Sequence, residues 1–379
     1  MSEKVSIFVD CFMSQNLGDD LFLFTLARRY PDVTFHVISA DEYAYIQREN
    51  SNIILEHEDK VHNSGSNPLS EGRRTMKKIA DRRACIASCD AMVTIAGSIY
   101  MESRKSGIRE FISRAYRSYK DVVYAKAARR YFILSANFGP FYTKRYVNSY
   151  RRFFDRYCTD VCFRDRYSAG LFSNVESVRS APDVLFTADL PQTGKCRRAF
   201  FSVVDLNNTE KFAGIAGRRD AYEQWISRSI DECAADGYEI VLASFSAPEG
   251  DNKAVDRLAT AARERGVAVR TVAYTDNMDE VLRELAASEI VIGTRFHATI
   301  LGLVAGARVL PVMYSDKTKH VLTDMDFKIG GAIDLKRVTD DELFAVSPAR
   351  DAVAFDVSDV IAAAEGQFAA IDAFLGDKN

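Results

Sequence analysis

Short β-branched and aromatic runs alternate along the chain with longer stretches whose apolar positions recur every three or four residues. That alternation predicts βα units around parallel sheets. In the first half, strands are predicted at Val5–Asp10, Val33–Ile38, Ala91–Ile95, Tyr131–Ala136 and Val161–Phe163. Helices are predicted near Asp19–Tyr30, Gly72–Ser88, Ile108–Arg129, Tyr146–Tyr157 and Arg166–Phe172. The polar stretch His57–Ser70 has no apolar period and reads as a loop.

Periodicity lapses over Thr187–Arg198 (TADLPQTGKCRR), where an interdomain linker is expected. A second series follows, with strands at Phe200–Asp205, Glu239–Phe245, Ala268–Ala273, Ile290–Gly293 and Arg308–Met313. Its helices fit Ala221–Ala235, Lys253–Glu264, Met278–Ala287 and His297–Ala305. The expected organisation is an α/β chain of two Rossmann-like domains, 1–190 and 199–345. A C-terminal segment, 350–379, carries one more amphipathic helix over Val357–Leu375, able to cross back to the first domain.

The 379 residues are 47% apolar and 27% charged, enough for proper cores, which excludes disorder and small disulfide scaffolds. A formal charge of −3 supplies no global basic field, so no nucleic-acid partner is expected. No apolar run reaches the roughly 18 residues of a membrane span. The best candidate, Ile300–Met313, is interrupted by Arg308. The opening MSEKVSIFVDCF enters a strand without signal-peptide anatomy, and a cytoplasmic location is the expectation.

Charge is unevenly spread. Arg104–Arg166 holds 16 Lys/Arg against 5 Asp/Glu, and Thr339–Asn379 holds 9 acidic against 2 basic residues. Such runs read either as solvated helix faces or, for the basic one, as a surface facing an anionic substrate or lipid headgroups. Seven cysteines are odd in number, and a chain of this size needs no staples. Cys85/Cys89 and Cys158/Cys162 are four apart, without the usual two-residue zinc spacing. Buried, reduced thiols and no metal are expected.

Ligands of open α/β sheets bind beyond the carboxyl ends of the strands, so the strand-to-helix turns are the places to search. The first is Asn16-Leu17-Gly18-Asp19-Asp20, where Gly18 permits close backbone approach. Asp19 or Asp20 reads either as an N-cap or as a carboxylate for sugar hydroxyls. Ala96-Gly97-Ser98 and Asn137-Phe138-Gly139-Pro140-Phe141 follow the next strands, with Lys144 and Arg145 close behind. In Phe163-Arg164-Asp165-Arg166, Asp165 suits a helix cap, while Arg164 reads as a cleft cation or a salt-bridged residue.

The most informative segment is Ile290-Val291-Ile292-Gly293-Thr294-Arg295-Phe296-His297-Ala298-Thr299, followed by the strand VLPVMY and Lys317/Lys319. Arg, His and Lys thus fall at the ends of two consecutive strands. A guanidinium grips a carboxylate or phosphate in bidentate fashion, Lys adds a point charge, and His moves a proton near neutral pH.

The ordered set NLGDD, AGS, NFGPF, FRDRYS, APDVLF and GTRFHATILGLVAGARVLPVMYSDK resembles the polysaccharide pyruvyltransferases, from about Val5 to Lys319. The resemblance implies two Rossmann-like domains in a glycosyltransferase-B-like arrangement. It implies phosphoenolpyruvate as donor and a sugar bearing two hydroxyls as acceptor, with a pyruvate ketal and phosphate as products. No cofactor beyond the co-substrate is implied. On this basis Arg295, Lys317, Arg164 and Arg145 are expected to bind the donor, and His297 to act as general acid. Asp19 or Asp20 is expected to orient or deprotonate the sugar hydroxyls, with Gly18 and Asn137 lining the acceptor. Between Lys317 and Lys319, the former lies nearer the strand end. With a lipid-linked acceptor, the basic Arg104–Arg166 region is expected to rest on the inner membrane face without insertion. The same fold class also accommodates a nucleotide-sugar glycosyltransferase, for which Glu280 and Asp316 are weak ribose-binding candidates, or a non-catalytic sugar-binding protein.

Overall fold

A computed structural model of the chain describes residues 4–39, 43–57, 68–104, 107–207, 212, 214–328 and 331–378. Most of the predicted His57–Ser70 loop lies outside the described residues. Two compact units emerge: one of Met1–Phe12, Phe22–Val184 and Glu365–Asn379, the other of Met13–Leu21 and Leu185–Ala364.

Seven parallel strands build the first unit: β1 (Ser6–Cys11), β2 (Thr34–Ser39), β3 (Ile53–His57), β4 (Ala91–Ile95), β5 (Tyr131–Ala136), β6 (Asp160–Phe163) and β7 (Val178–Ser180). Their order is β3-β2-β1-β4-β5-β6-β7, so the chain reverses direction of growth between β1 and β4. β4 and β5 are buried along their whole length, as continuous apolar runs in a doubly covered sheet must be. The helix Lys144–Tyr157 buries Val147, Tyr150, Phe153 and Phe154, a three-to-four spacing that turns one face onto the sheet. Its rings join Tyr100, Phe138, Phe163 and Phe172 in edge-to-face contacts such as Phe138–Phe172, 4.8 Å between centroids.

The second unit has six parallel strands: β8 (Cys196–Ser202), β9 (Glu239–Ser244), β10 (Val269–Ala273), β11 (Ser288–Gly293), β12 (Arg308–Met313) and β13 (Ile333–Asp334). Their order is β10-β9-β8-β11-β12-β13, with the reversal between β8 and β11. The helix Phe296–Val304 packs tightly on this sheet. A Cβ at Gly302 would stand 3.0 Å from Val291 and 3.1 Å from Val309, which explains the small-residue stretch there.

Two expectations change. Rather than one helix over Val357–Leu375, the tail forms Ser358–Ala364, a tight turn Glu365–Phe368 and a second helix Ala369–Gly376. The break lets fully buried Gln367 accept from Ser135 N and donate to the carbonyls of Ala181 (2.8 Å) and Pro182 (3.0 Å). Nor are all thiols buried: Cys89, Cys162 and Cys233 are, but Cys11, Cys85 and Cys158 are half-buried and Cys196 is exposed, all seven unbridged. Cys158 closes a helix and Cys162 lies in β6, so that pair shares no helix face.

Candidate active site

The motif residues gather in two clusters, one in each unit. In the second unit the site begins where β11 ends. Thr294 N donates to the Ser202 carbonyl of β8 (3.1 Å), and its hydroxyl pairs with Tyr222 Oη at 3.0 Å. This fixes the strand end at the topological reversal, where a parallel sheet opens its ligand crevice. Arg295 follows with extended backbone and caps the helix Phe296–Val304.

The Arg295 guanidinium is buried and held by two carboxylates. Its Nε donates to Asp251 Oδ2 (2.8 Å), Nη2 to Asp251 Oδ1 (2.5 Å), and Nη1 to Glu249. Gly250, between them, has φ +93°, the left-handed turn through which both carboxylates reach one cation. Burial opposes the Arg295 charge, but Asp251, Tyr314 and Glu249 hold its pKa above the ordinary arginine value. The Asp251 carboxyl is pushed up by burial, with Arg295 pulling it back.

His297 is the second residue of the helix Phe296–Val304, and Gly18 stands against it. A Cβ built on Gly18 would lie 1.6 Å from His297 Nδ1, so only glycine fits beside the imidazole. The Asn16–Asp20 turn that carries Gly18 belongs to the second unit, not to the sheet of β1. Leu17 N donates to the Phe245 carbonyl just beyond β9 (3.0 Å), Gly18 N to Asn16 Oδ1 (3.2 Å), and Asp20 N to the Asn16 carbonyl (2.9 Å). Asp20 is buried and accepts the Tyr274 hydroxyl at 2.7 Å. Asp19 is half-buried, and its charge helps raise the pKa of Tyr314, after burial and together with Glu249 and Asp251.

Lys317, in the first turn of the helix Asp316–Asp324, places Nζ 5.9 Å from the centroid of the Phe296 ring, next to His297. Lys319, two residues on, projects from the opposite side of that helix. Gly18, Asp19, Asp20, Arg295, His297 and Lys317 are therefore assembled within one unit. Glu280 accepts from its own cap residue Asn277, and Asp316 pairs with Lys336.

In the first unit the ends of β4, β5 and β6 converge. Arg164 is buried, with Nη1 donating to Asp183 Oδ2 (2.9 Å) and Nη2 to Asn137 Oδ1 (2.6 Å). Ser98 Oγ also donates to Asn137 Oδ1, and Asn137 N to the Gly97 carbonyl. A Cβ on Gly97 would stand 2.9 Å from the Arg164 guanidinium nitrogens, so this glycine makes room for the arginine. Asp165 caps the following helix, accepting from Ser168 N at 2.7 Å. Ser135, the bulged residue of β5, adopts φ +57° and accepts from Val184 N. Arg145 lies exposed in the first turn of Lys144–Tyr157.

Sequence reasoning missed Glu249, Asp251, Tyr274 and Tyr314. The signal for the first two was present: SAPEGD is itself a strand-to-helix turn, following β9. Among the described residues, one group with metal-ligand chemistry occurs, in the first unit. His36, Glu56 and Cys85 bring their donor atoms within 4.8 Å of one another, with His36 and Glu56 paired at 3.1 Å.

Solved structures share this architecture. The UDP-GlcNAc 2-epimerase of Neisseria meningitidis, bound to UDP-GlcNAc, superposes with a TM-score of 0.58 at 10% identity, covering 98% of this chain and 99% of its own. Anabaena Alr3699/HepE in complex with UDP and glucose gives 0.52 at 11% identity, covering 98% and 97%. The Methanocaldococcus jannaschii UDP-GlcNAc 2-epimerase gives 0.51 at 10%, covering 93% and 95%. At these identities the likeness is one of fold: two Rossmann-like domains of the GT-B-like class. The polysaccharide pyruvyl transferase family model matches residues 16–316, and the chain belongs to that family. No curated protein sequence matches it.

Proposed function

We propose that the protein transfers the pyruvyl group of phosphoenolpyruvate to a sugar of a polysaccharide or its precursor, forming a pyruvate ketal. The observation that carries this reading is the seating of the His297 imidazole on the Gly18 backbone, in the turn that also carries Asp20 and two residues past Arg295. A proton-transfer group, carboxylates and cations are thereby grouped in the unit whose motif is the most specific to the family.

The donor is a carboxylate and a phosphate on one small frame, which cations stabilise as charge redistributes. Three of the five N–H bonds of Arg295 go to Asp251 and Glu249, and the remaining two serve a donor oxygen. Lys317 adds a point charge by the Phe296 ring.

His297 protonates C3 of the enol, turning the methylene into a methyl group while C2 gains oxocarbenium character. The first sugar hydroxyl forms a bond to C2 and releases its proton to Asp19 or Asp20. The second hydroxyl then bonds C2 as the C2–O bond to phosphate breaks, and its proton leaves with inorganic phosphate. Gly18 lines the acceptor. The acceptor sugar is free or carried on a nucleotide or a lipid, and its carrier is the variable to screen. A cytoplasmic setting, where this donor is made, suits the reaction.

The test is phosphate release from phosphoenolpyruvate across a panel of nucleotide-linked and lipid-linked sugars, with His297→Ala as control. Acceptor-dependent release, a product heavier by a pyruvate ketal and silence in the control support the proposal. Turnover unchanged in His297→Ala removes that residue from the mechanism. No binding of phosphoenolpyruvate in calorimetry, with transfer from a nucleotide sugar instead, replaces the reaction by glycosyl transfer.

A further inference from the structure

The strands β2 and β3, at one edge of the first sheet, have two unlike faces. Phe35, Val37, Ile53 and Leu55 are buried on one of them. His36, Ile38, Ile54 and Glu56 alternate with these residues and are half-buried or exposed on the other. The register pairs His36 with Ile54 and Ile38 with Glu56, which sets His36 and Glu56 diagonally on that second face. The last turns of the helix Pro68–Ser88 reach the same face. Ile79, Ile86 and Cys89 are buried there with Phe8, the β1 neighbour of His36, and Cys85 lies half-buried on their flank.

Three side chains of different chemistry meet at this point. His36 Nδ1 lies 3.1 Å from Glu56 Oε1, and these two atoms and Cys85 Sγ all lie within 4.8 Å of one another. Ligand atoms about 2.0–2.3 Å from a tetrahedral zinc ion stand about 3.3–3.8 Å apart. The imidazole and the carboxylate are thus close to ligand spacing, and the thiol reaches it by an approach of about an ångström. Cys89 follows Cys85 by one helical turn, and the two thiols share a hydrogen bond, which brings in a fourth donor. An ion pair accounts for His36 and Glu56 but gives no reason for a half-buried thiol beside them.

We propose that His36, Glu56, Cys85 and Cys89 form a structural site for a divalent cation of the zinc type. Mixed imidazole, thiolate and carboxylate donors suit zinc and disfavour magnesium and calcium, which take oxygen ligands. On binding, Glu56 turns from the imidazole to the ion, His36 ligates in its neutral form through Nδ1, and the two thiol protons pass to solvent. The ion joins three elements. β3 is an edge strand with β2 as its one neighbour, and a bridge from Glu56 to Cys85 ties it to the helix Pro68–Ser88 as well. His36 lies in mid-strand, away from the strand ends where the catalytic motifs gather, so the site does not depend on the reaction proposed above.

The experiment is titration of the full-length protein, kept reduced by a phosphine, with cobalt(II) as a spectroscopic substitute for zinc. The expected result is one ion per chain, with a thiolate-to-cobalt charge-transfer band and the intense visible bands of tetrahedral cobalt, all abolished by added zinc. Zinc at about a hundred times its dissociation constant should also favour the folded state about 100-fold, read as a raised melting temperature. Cys85→Ser and Glu56→Gln should each weaken cobalt binding at least about tenfold, and Cys85→Ser should also dim the charge-transfer band. Cys196→Ser, which removes an exposed thiol in the second unit, should change neither. If Cys85→Ser fails to fold, Glu56→Gln decides alone. Absence of the charge-transfer band, binding unchanged in the folded Cys85→Ser and Glu56→Gln variants, or a band lost with Cys196→Ser overturns the proposal.

Discussion

Gly18 and His297 lie 279 positions apart, yet the imidazole occupies the space a side chain on Gly18 would need, with Nδ1 1.6 Å from the Cβ position. The NLGDD and TRFHA motifs thus form one object. The glycine is the seat of the ring, and Asp20, two residues on, is fixed by the Tyr274 hydroxyl at 2.7 Å.

Gly18→Ala is expected to displace the imidazole by more than an ångström, since the added Cβ would stand 1.6 Å from Nδ1. A shift of that size in a reacting group costs about 10²-fold in turnover. The measurement is kcat for phosphate release beside a thermal melt. Turnover within a few-fold of the parent in a folded variant would remove His297 from its seat in the mechanism.

Arg295 sits in a buried network in which two carboxylates face one guanidinium. Asp251→Ala leaves that cation with Glu249 alone and is expected to destabilise the fold by about 3–5 kcal/mol, the usual result of removing one partner of a buried pair. Asp251→Asn keeps an acceptor oxygen and should cost less. Arg295→Lys cannot reproduce the fork and should lower donor affinity as well as stability. Urea unfolding and calorimetry with phosphoenolpyruvate read the two effects separately.

The central strands were legible because a strand covered on both faces must be a continuous apolar run. Ala91–Ile95 and Tyr131–Ala136 have the predicted boundaries. Ile53–His57, Val178–Ser180 and Ile333–Asp334 escaped notice: each lies at a sheet edge, short and with one neighbour, so little burial marks it. At the site, Arg295 and His297 announced themselves by lying at a strand end. Their supports did not, since Asp251 and Glu249 come from 44 and 46 residues away. Nor does local patterning reveal that the turn after β1 packs with the second unit; the contacts of Leu17 with Phe245, Gly18 with His297 and Asp20 with Tyr274 do so.

Arg164 and Asp183 form the corresponding pair in the first unit, both fully buried at 2.9 Å. Arg164→Met takes the cation from the buried Asp183 carboxylate and Asp183→Leu takes the counter-charge from the guanidinium, so each single change should cost about 3–5 kcal/mol. The double variant should cost clearly less than their sum, because neither charge is left alone. A double-mutant cycle by urea unfolding checks this. Additive losses would mean that the two groups do not act as a pair.

Asp121 makes the fold's stability depend on mild acidity. Burial pushes its carboxyl up to about 6, against a partial offset from Lys120, while the Tyr150 hydroxyl donates to it at 3.2 Å. The folded chain therefore holds this proton more tightly than the unfolded chain does. Below the ordinary carboxylate value of 3.8 the group is neutral in both states and imposes no penalty. As pH rises from there to about 6, the unfolded chain ionises first, and stability falls by about 2–3 kcal/mol before levelling. Asp121→Asn accepts the same hydroxyl bond without a charge to desolvate. It should stabilise the fold by about 2 kcal/mol near neutrality and leave it unchanged near pH 4. Unfolding curves at both pH values test it: an equal gain at the two would mean that the carboxyl's ionisation contributes nothing.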